Sequence, residues 1–361
     1  MGDLWHKLCY EFSEHTKDLV GIKSRVEKLE SCLAIESNDV RIIGVWGMGG
    51  IGKTTLANLV FRMVLKKFEG YCFLANVREV CEKDGLVPLQ EQLIGQILNE
   101  SVSILDAYEG VNIIKNRLHH KRILLVLDDV NDLDQFQKLV GKRSWFSSGS
   151  RVIITTRDKN LLYMLKVDVI YEAQRLNADE ALHLLCLKAF EKVYPPKNYL
   201  ELSKDVVKYT EGHPLVIEIL GSFLSCRRID QWYTTLNRLK EIPECEILQA
   251  LRIGYDGLHE TEKQIFLHIA CFFNHEDKNS VAEKLDYLDL FPYVGLEVLV
   301  DQSLIKMNGN IVWMHDLLQE MGRKIINEEC PEEPGRRTNL WLFKDINHVL
   351  TNNTVRGYLK I

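Results

Sequence analysis

A chain of 361 residues is too long for one hydrophobic core, so two or three domains are expected; with 46% apolar and 27% charged residues and only 8 prolines, it should be ordered throughout. The formal net charge of −6 argues against a protein that lives on nucleic acid or on an anionic membrane. The longest apolar runs, such as Ile123 to Leu127 and Ile269 to Phe273, fall far short of a bilayer span, so no membrane association is expected.

The N-terminal stretch MGDLWHKLCYEF carries charge where a secretory signal would be apolar, and export is not indicated. The nine cysteines are scattered, odd in number and without a C-x-x-C pair. They point to reduced thiols in the cytosol or nucleus, most of them acting as small core hydrophobes.

Residues 1–40 read as an N-terminal linker and helix. The helix covers Ile22 to Leu33, with Val26, Leu29 and Leu33 on one face and charges on the other. Val20, Ile22 and Arg25 precede the next strand closely enough to lie near a bound base, although the pattern alone describes an amphipathic helix with a solvated Arg25.

The apolar run Ile42 to Trp46 then leads into Gly47-x-x-x-x-Gly52-Lys53-Thr54 and a helix-like segment, which is a phosphate-binding loop in its strand-to-helix setting. Gly47, Gly49, Gly50 and Gly52 allow positive φ and bring successive N–H groups onto phosphate oxygens. The helix N-terminus adds partial positive charge. Lys53 is expected to reach the outer phosphates and the Thr54 hydroxyl to ligate Mg²⁺. The nucleotide-binding stretch is accordingly Gly47, Met48, Gly49, Gly50, Ile51, Gly52, Lys53, Thr54 and Thr55.

Tyr71 to Val77 reads as a second strand, and Leu89 to Leu98 and Val111 to Leu118 as helices. Ile123 to Leu127 is an unbroken apolar run of the kind found in strands buried on both faces of a parallel sheet. Asp128 and Asp129 follow at its C-terminal end, where open α/β sheets bind ligands. Asp128 is expected to hold Mg²⁺ and Asp129 to orient or deprotonate a water; the alternative is that both merely open the Asn131-Asp132 turn and cap the next helix. A fourth strand, Ser150 to Thr155, ends in Thr156-Arg157-Asp158. Arg157 is placed to sense a γ-phosphate or to form a surface ion pair. A short strand near Val167 to Tyr171 closes the first domain, residues 41–172.

Helices then dominate, over Ala178 to Phe190, Tyr199 to Thr210, Pro214 to Ser225, Ile229 to Leu239, Ile247 to Leu258 and Thr261 to Cys271, with Pro195-Pro196 and Pro243 between them. Gly212-His213-Pro214 starts a helix with proline in its first turn, where the missing N–H costs nothing. SLIKMNGNIVWM over residues 303–314 has a hairpin signature, two β-rich runs joined at Asn308-Gly309 in a type I′ turn. Met314-His315-Asp316 opens a further helix, with His315 and Asp316 as caps. The pattern suggests a helical domain over residues 173–251, a winged helix over 252–335 and a tail over 336–361. From His315 to Glu329 four acidic residues oppose two basic ones, the wrong sign for duplex recognition.

Taken in order, GMGGIGKTT, FLANVRE, ILLVLDDV, GSRVIITTRD, GHPLVIEILG, IFLHIACFF and MHDLLQEMG resemble the NB-ARC core of plant disease-resistance proteins, from about Leu19 to about residue 350. Asn131 after LDDV and the FLANVRE stretch resemble the subclass that carries an N-terminal TIR domain. No TIR-like segment and no leucine-rich repeats lie within the chain, so no NADase activity is expected of it. The resemblance implies an α/β P-loop NTPase with a parallel five-stranded sheet, followed by an α-helical domain and a winged-helix domain, the strand ending at Thr155 lying between the P-loop strand and the Asp128 strand.

It also implies roles. Val20, Ile22 and Arg25 would border adenine, Arg157 would sense the nucleotide, Pro214 would pack on the base and His315 would reach the β-phosphate of ADP. His213 departs from the leucine usual in its motif, and His268 from the usual aspartate. The function implied is an ADP/ATP switch of plant innate immunity, with an ADP-bound off state, an ATP-bound state that assembles with copies of itself or other NB-ARC proteins, and slow hydrolysis. The competing readings are an ATPase whose turnover is the output and a winged-helix regulator of nucleic acid.

Overall fold

The computed structural model describes residues 19–240 and 247–352. The readings at the extreme N-terminus, at Pro243 and beyond Asn352 lie outside these residues. The chain divides into two compact units, Met1–Arg175 and Leu176–Ile361. Among the described residues no helix is long and apolar enough to cross a membrane.

The first unit is built on five strands: β1 Arg41–Trp46, β2 Gly70–Leu74, β3 Ile123–Leu127, β4 Arg151–Thr156 and β5 Val169–Glu172. They form one parallel sheet in the order β2-β3-β4-β1-β5, so β4 lies between β1 and β3 as expected. Side chains alternate across the sheet and both faces are buried. Ile43, Val45, Leu124, Val126 and Ile153 pack with α1 (Ile22–Leu33) and α2 (Lys53–Val64) on one side. Ile42, Leu125, Leu127, Val152 and Ile154 pack on the other, with α3 Val77–Asp84, α4 Val87–Leu98, α5 Ala107–Arg117, α6 Leu133–Leu139 and α7 Lys159–Met164 in the connections. Burial on both faces explains why β3 reads as a continuous apolar run.

Two expectations shift here. The second strand stops at Leu74, because Asn76 turns left-handed (φ 51°) and the Val77 N–H donates to the Asp128 carbonyl at 2.8 Å, starting α3. Arg25 is half-buried, and its guanidinium donates to the carbonyls of Gly21 and Arg175 at 2.5 and 2.9 Å. Backbone contacts, rather than solvent, receive it. Arg151 is fully buried at the start of β4 and donates to the carbonyls of Leu33, Ala34, Ser37 and Asp39, tying the end of α1 to the sheet.

The second unit holds α8 Ala178–Phe190, α9 Leu200–Thr210, α10 Pro214–Leu224, α11 Ile229–Lys240 and α12 Ile247–Asp256. Trp232 is fully buried and stacks on Phe190 with ring centroids 5.3 Å apart. The winged-helix segment follows: α13 Glu260–His268, a π-helical turn over Ile269–Phe273, α14 Lys278–Asp286, α15 Pro292–Asp301, the strands β6 Lys306–Asn308 and β7 Ile311–Trp313, and α16 Asp316–Glu329. The last helix, α17, spans Phe343–Asn352. The helical and winged-helix segments are joined side chain to side chain, by Ser222 Oγ to Ser303 Oγ at 2.7 Å and Lys306 Nζ to Glu218 at 3.0 Å.

The hairpin turns one residue later than its sequence suggests. Asn308 pairs with Ile311, so Gly309 and Asn310 form the loop, and of the two only Gly309 has positive φ (61°). That is the type II′ pattern, glycine first, in place of type I′.

Candidate functional site

The C-terminal ends of β1, β3 and β4 lie side by side, and the glycine loop, Asp128, Asp129 and Arg157 collect there. The loop after β1 runs into α2, whose N-cap is Gly52 at φ 95°; Gly50 is at φ 70°. These are left-handed conformations that a side chain would resist. Gly49, also expected in this region, is absent from the positive-φ positions among the described residues. Lys53 is buried and turns back over the loop, its ammonium donating to the carbonyls of Gly47 and Met48 at 2.8 Å each. Its cation is thus held inside the glycine loop. Ile51 is buried, and Met48 stands exposed. Thr55, one step into α2, is exposed.

At the end of β3, Asp128 is almost fully buried, and its Oδ1 accepts hydrogen bonds from Thr54 Oγ1 at 2.8 Å and Thr155 Oγ1 at 2.6 Å. One carboxylate therefore ties together the loop helix α2, β3 and β4. Two hydroxyls and a carboxylate are hard oxygen donors of the type Mg²⁺ prefers. Among the described residues no group of three or more His, Cys, Asp or Glu is placed to hold a metal. A site of this kind would take Thr54 and Asp128 and complete its shell from phosphate oxygens and water, as Mg²⁺ sites commonly do.

Asp129 has a different role in the geometry. Its backbone is left-handed (φ 57°), and its N–H donates to Thr155 Oγ1 at 2.8 Å. Its carboxylate meets two guanidinium groups, Arg78 Nε at 2.8 Å from Oδ2 and Arg157 Nε at 3.6 Å from Oδ1. Capping of the next helix falls to Asp132, whose side chain accepts from Asp134 N–H in a capping box with Gln135. The two aspartates after β3 are thus engaged in the site, and the turn has its own cap. Arg157 is further fixed through its backbone, since its carbonyl accepts from the Trp46 indole N–H at 3.1 Å.

Arg78 and Thr155 are the residues that reading the sequence for sites passed over. Both lie inside quoted motifs, FLANVRE and VIITTRD, but their partners are 51 and 27 positions away. At the start of α1, Ile22 lines an open cleft of about 330 Å³ together with Leu19, Gly21, Lys23, Ser24 and Glu27. No residue of the glycine loop lines it.

Pro214 and His315 belong to the second unit, and each lies at a helix start. Pro214 is the first residue of α10, after His213, whose Nδ1 accepts from Val216 N–H at 3.4 Å. His315 is the N-cap of α16, its Nδ1 accepting from Leu317 N–H at 3.1 Å. The preceding Met314 is clamped at both backbone groups by the buried side chain of Asn274, at 2.8 and 3.2 Å. His268, the other departure from the motif pattern, is buried beside Phe272 and Phe273.

Residues 22–194 match the NB-ARC domain, and residues 259–330 match the winged-helix domain of Roq1-like disease resistance proteins. The chain is 43% identical over 336 residues to disease resistance protein RUN1 of Vitis rotundifolia, covering 92% of this chain and 25% of that protein. It is 39% identical over 356 residues to TMV resistance protein N of Nicotiana glutinosa, covering 96% of this chain and 31% of that one. The chain thus spans about a quarter to a third of the length of these relatives. Among solved structures, a signal transduction ATPase with numerous domains from Pyrococcus horikoshii, with a tetratricopeptide repeat sensor, superposes with a TM-score of 0.53 at 19% identity over 92% of this chain and 45% of its own. That likeness is one of fold. With its five-stranded P-loop sheet and the winged helix that follows, the chain carries an NB-ARC domain over residues 22–194 and a Roq1-like winged-helix domain over residues 259–330.

Proposed function

We propose that this chain is an ADP/ATP-operated switch of plant defence signalling. The observation that carries the reading is the cluster at the strand ends: a buried lysine folded into the glycine loop beside a buried aspartate that receives two threonine hydroxyls. Lys53 would exchange the loop carbonyls of Gly47 and Met48 for phosphate oxygens, and Gly47 to Thr55 would wrap the phosphates. Thr54 and Asp128 would hold Mg²⁺, which neutralises phosphate charge when bound. Asp129 is assigned the orientation of an attacking water, and Arg157 the sensing of the γ-phosphate. Val20, Ile22 and Arg25 are assigned to the adenine edge, Pro214 to the base and His315 to the β-phosphate of ADP, on the resemblance to the family.

Magnitudes restrict how such a switch works. Moving a two-state equilibrium from 1:99 to 99:1 takes about 5.5 kcal/mol of differential binding. One charge-assisted hydrogen bond from His315 supplies roughly 1.5–3 kcal/mol. The remainder must come from packing elsewhere in the chain. In this reading ADP maintains the off state, ATP permits assembly with further copies or other NB-ARC proteins, and slow hydrolysis resets the protein in the cytosol or nucleus.

The test is to denature the purified protein and identify the released nucleotide by chromatography. Stoichiometric ADP with negligible steady turnover is the expected result, and Lys53→Ala should release the protein free of nucleotide. Steady multiple turnover would favour an ATPase whose output is hydrolysis. A Lys53→Ala protein that retains ADP would contradict the site assignment.

A further inference from the structure

Thr155, near the end of β4, meets each of the residues Asp128, Asp129 and Val130 that follow β3. Its Oγ1 donates to Asp128 Oδ1 at 2.6 Å and accepts from the Asp129 N–H at 2.8 Å, and its carbonyl accepts from the Val130 N–H at 2.9 Å. A threonine hydroxyl carries one proton. That proton is committed to the Asp128 carboxylate, at the short distance of a charge-assisted bond, so a lone pair is what faces Asp129. One hydroxyl thus aims the first aspartate and holds the backbone of the second, which is left-handed (φ 57°), a conformation that residues with a side chain seldom adopt. Thr54 donates to the same Asp128 oxygen at 2.8 Å but is exposed, whereas Thr155 is 1% exposed. Exposure separates the two hydroxyls: Thr54 can meet an ion from the solvent side, and Thr155 acts through the aspartates.

We propose that Thr155 is a positioning residue whose hydroxyl makes nucleotide binding depend on Mg²⁺, by fixing the Asp128 carboxylate and holding Asp129 in its left-handed turn. A carboxylate restrained beforehand loses less freedom when it takes up an ion. Without the hydroxyl, Asp128 loses this donor and the Asp129 N–H loses this acceptor, while valine keeps the branched shape of the side chain. The effect is specific to the metal, because the glycine loop and Lys53 meet the phosphates without help from Thr155. The proposal rests on the nucleotide reading above, and it adds a residue to which neither the motif pattern nor that reading assigns a role.

The experiment measures Kd for ADP by calorimetry, with Mg²⁺ and with divalent ions removed by a chelator, on the full chain and on Thr155→Val, Thr155→Ser and Thr155→Cys. Thr155→Val should weaken ADP about tenfold in Mg²⁺, the size of one charge-assisted contact, and leave the metal-free Kd within about twofold. Thr155→Ser restores the hydroxyl and should restore the Mg²⁺ response. Thr155→Cys offers only a weak donor and should fall between the two, which keeps the question decidable if Thr155→Val does not fold. Equal weakening by Thr155→Val with and without Mg²⁺ would make Thr155 a structural residue and overturns the proposal. So does a Thr155→Cys protein that responds to Mg²⁺ as fully as Thr155→Ser, or an unmodified chain whose affinity for ADP is indifferent to Mg²⁺. An unmodified chain that binds no ADP in either condition defeats the nucleotide reading itself, and the proposal falls with it.

Discussion

In the sheet unit, Asp128 accepts hydrogen bonds from Thr54 and Thr155, residues 74 and 27 positions away. In the helical and winged-helix unit, His213 and His315 accept from backbone N–H groups only 3 and 2 positions along their own helices. The first arrangement is one that a parallel sheet creates: crossovers return every strand in the same direction, so distant polar residues meet at the strands' C-terminal ends. The second is what any helix start requires, since its first N–H groups have no partner within the helix. At these candidate positions the sheet unit's aspartate therefore serves distant side chains, whereas the second unit's histidines serve the backbone of their own helices.

The largest effect that would sharpen this contrast is at the start of α10. Gly212 has φ 73°, and a Cβ there would stand 2.1 Å from the Leu176 carbonyl oxygen, whose own N–H donates to the Gly212 carbonyl at 2.9 Å. Backbone cannot yield as a flexible side chain does. Gly212→Ala should cost roughly 3 kcal/mol or more, strain and clash together. Gly309→Ala in the hairpin loop is the control, because its φ of 61° carries strain but nothing lies within 4 Å of a new Cβ. About 1 kcal/mol is expected there. Chemical denaturation of the two variants measures both, and equal losses would show that the helix start is no more constrained than an open turn.

His315→Ala comes next. Removing an N-cap should lower stability by about 1 kcal/mol, which a denaturation midpoint reports. If the same histidine also reads the nucleotide, ADP content in the purified protein should fall in favour of ATP. Lower stability with unchanged ADP would leave His315 as a cap and nothing more, and the contrast between the units would then be complete.

How far these features were legible in the sequence follows from the same distinction. Helix starts are local, and Pro214 after Gly212-His213 and His315 ahead of Asp316 were both readable as such. Strand β3 was readable too, because burial on both faces turns it into an unbroken apolar run. The clamp on Asp129 was not, since nothing along the chain pairs Arg78 with a carboxylate 51 positions later. The end of β2 was misplaced for a related reason: Val77 looks like strand, but a left-handed Asn76 and the distant Asp128 carbonyl turn it into helix. α14 and α15 were passed over, α15 beginning at Pro292 after a left-handed Phe291, a residue that gives no helix signal of its own.

The smallest predicted effect tests whether the units differ in their cores as well. Each has a buried thiol that burial pushes up to about 12, Cys72 within β2 and Cys271 in the π-helical turn. Below pH 9 the thiol is protonated in folded and unfolded chain alike, and the stability it contributes is fully present. Above that the unfolded thiol ionises while the folded one stays protonated, so the unfolded state binds fewer protons and stability falls as pH rises toward the folded value. By about pH 9.5 the loss should be roughly 0.5–1 kcal/mol from each of these thiols. Alkylation kinetics of Cys72 and Cys271, read by peptide mass spectrometry, follow the opening of each unit separately, while the exposed Cys226 labels at once as an internal reference. Parallel acceleration at both sites is expected, because apolar packing protects each thiol in the same way. Acceleration at one site alone would mean that the difference between the units extends from their polar residues into their cores.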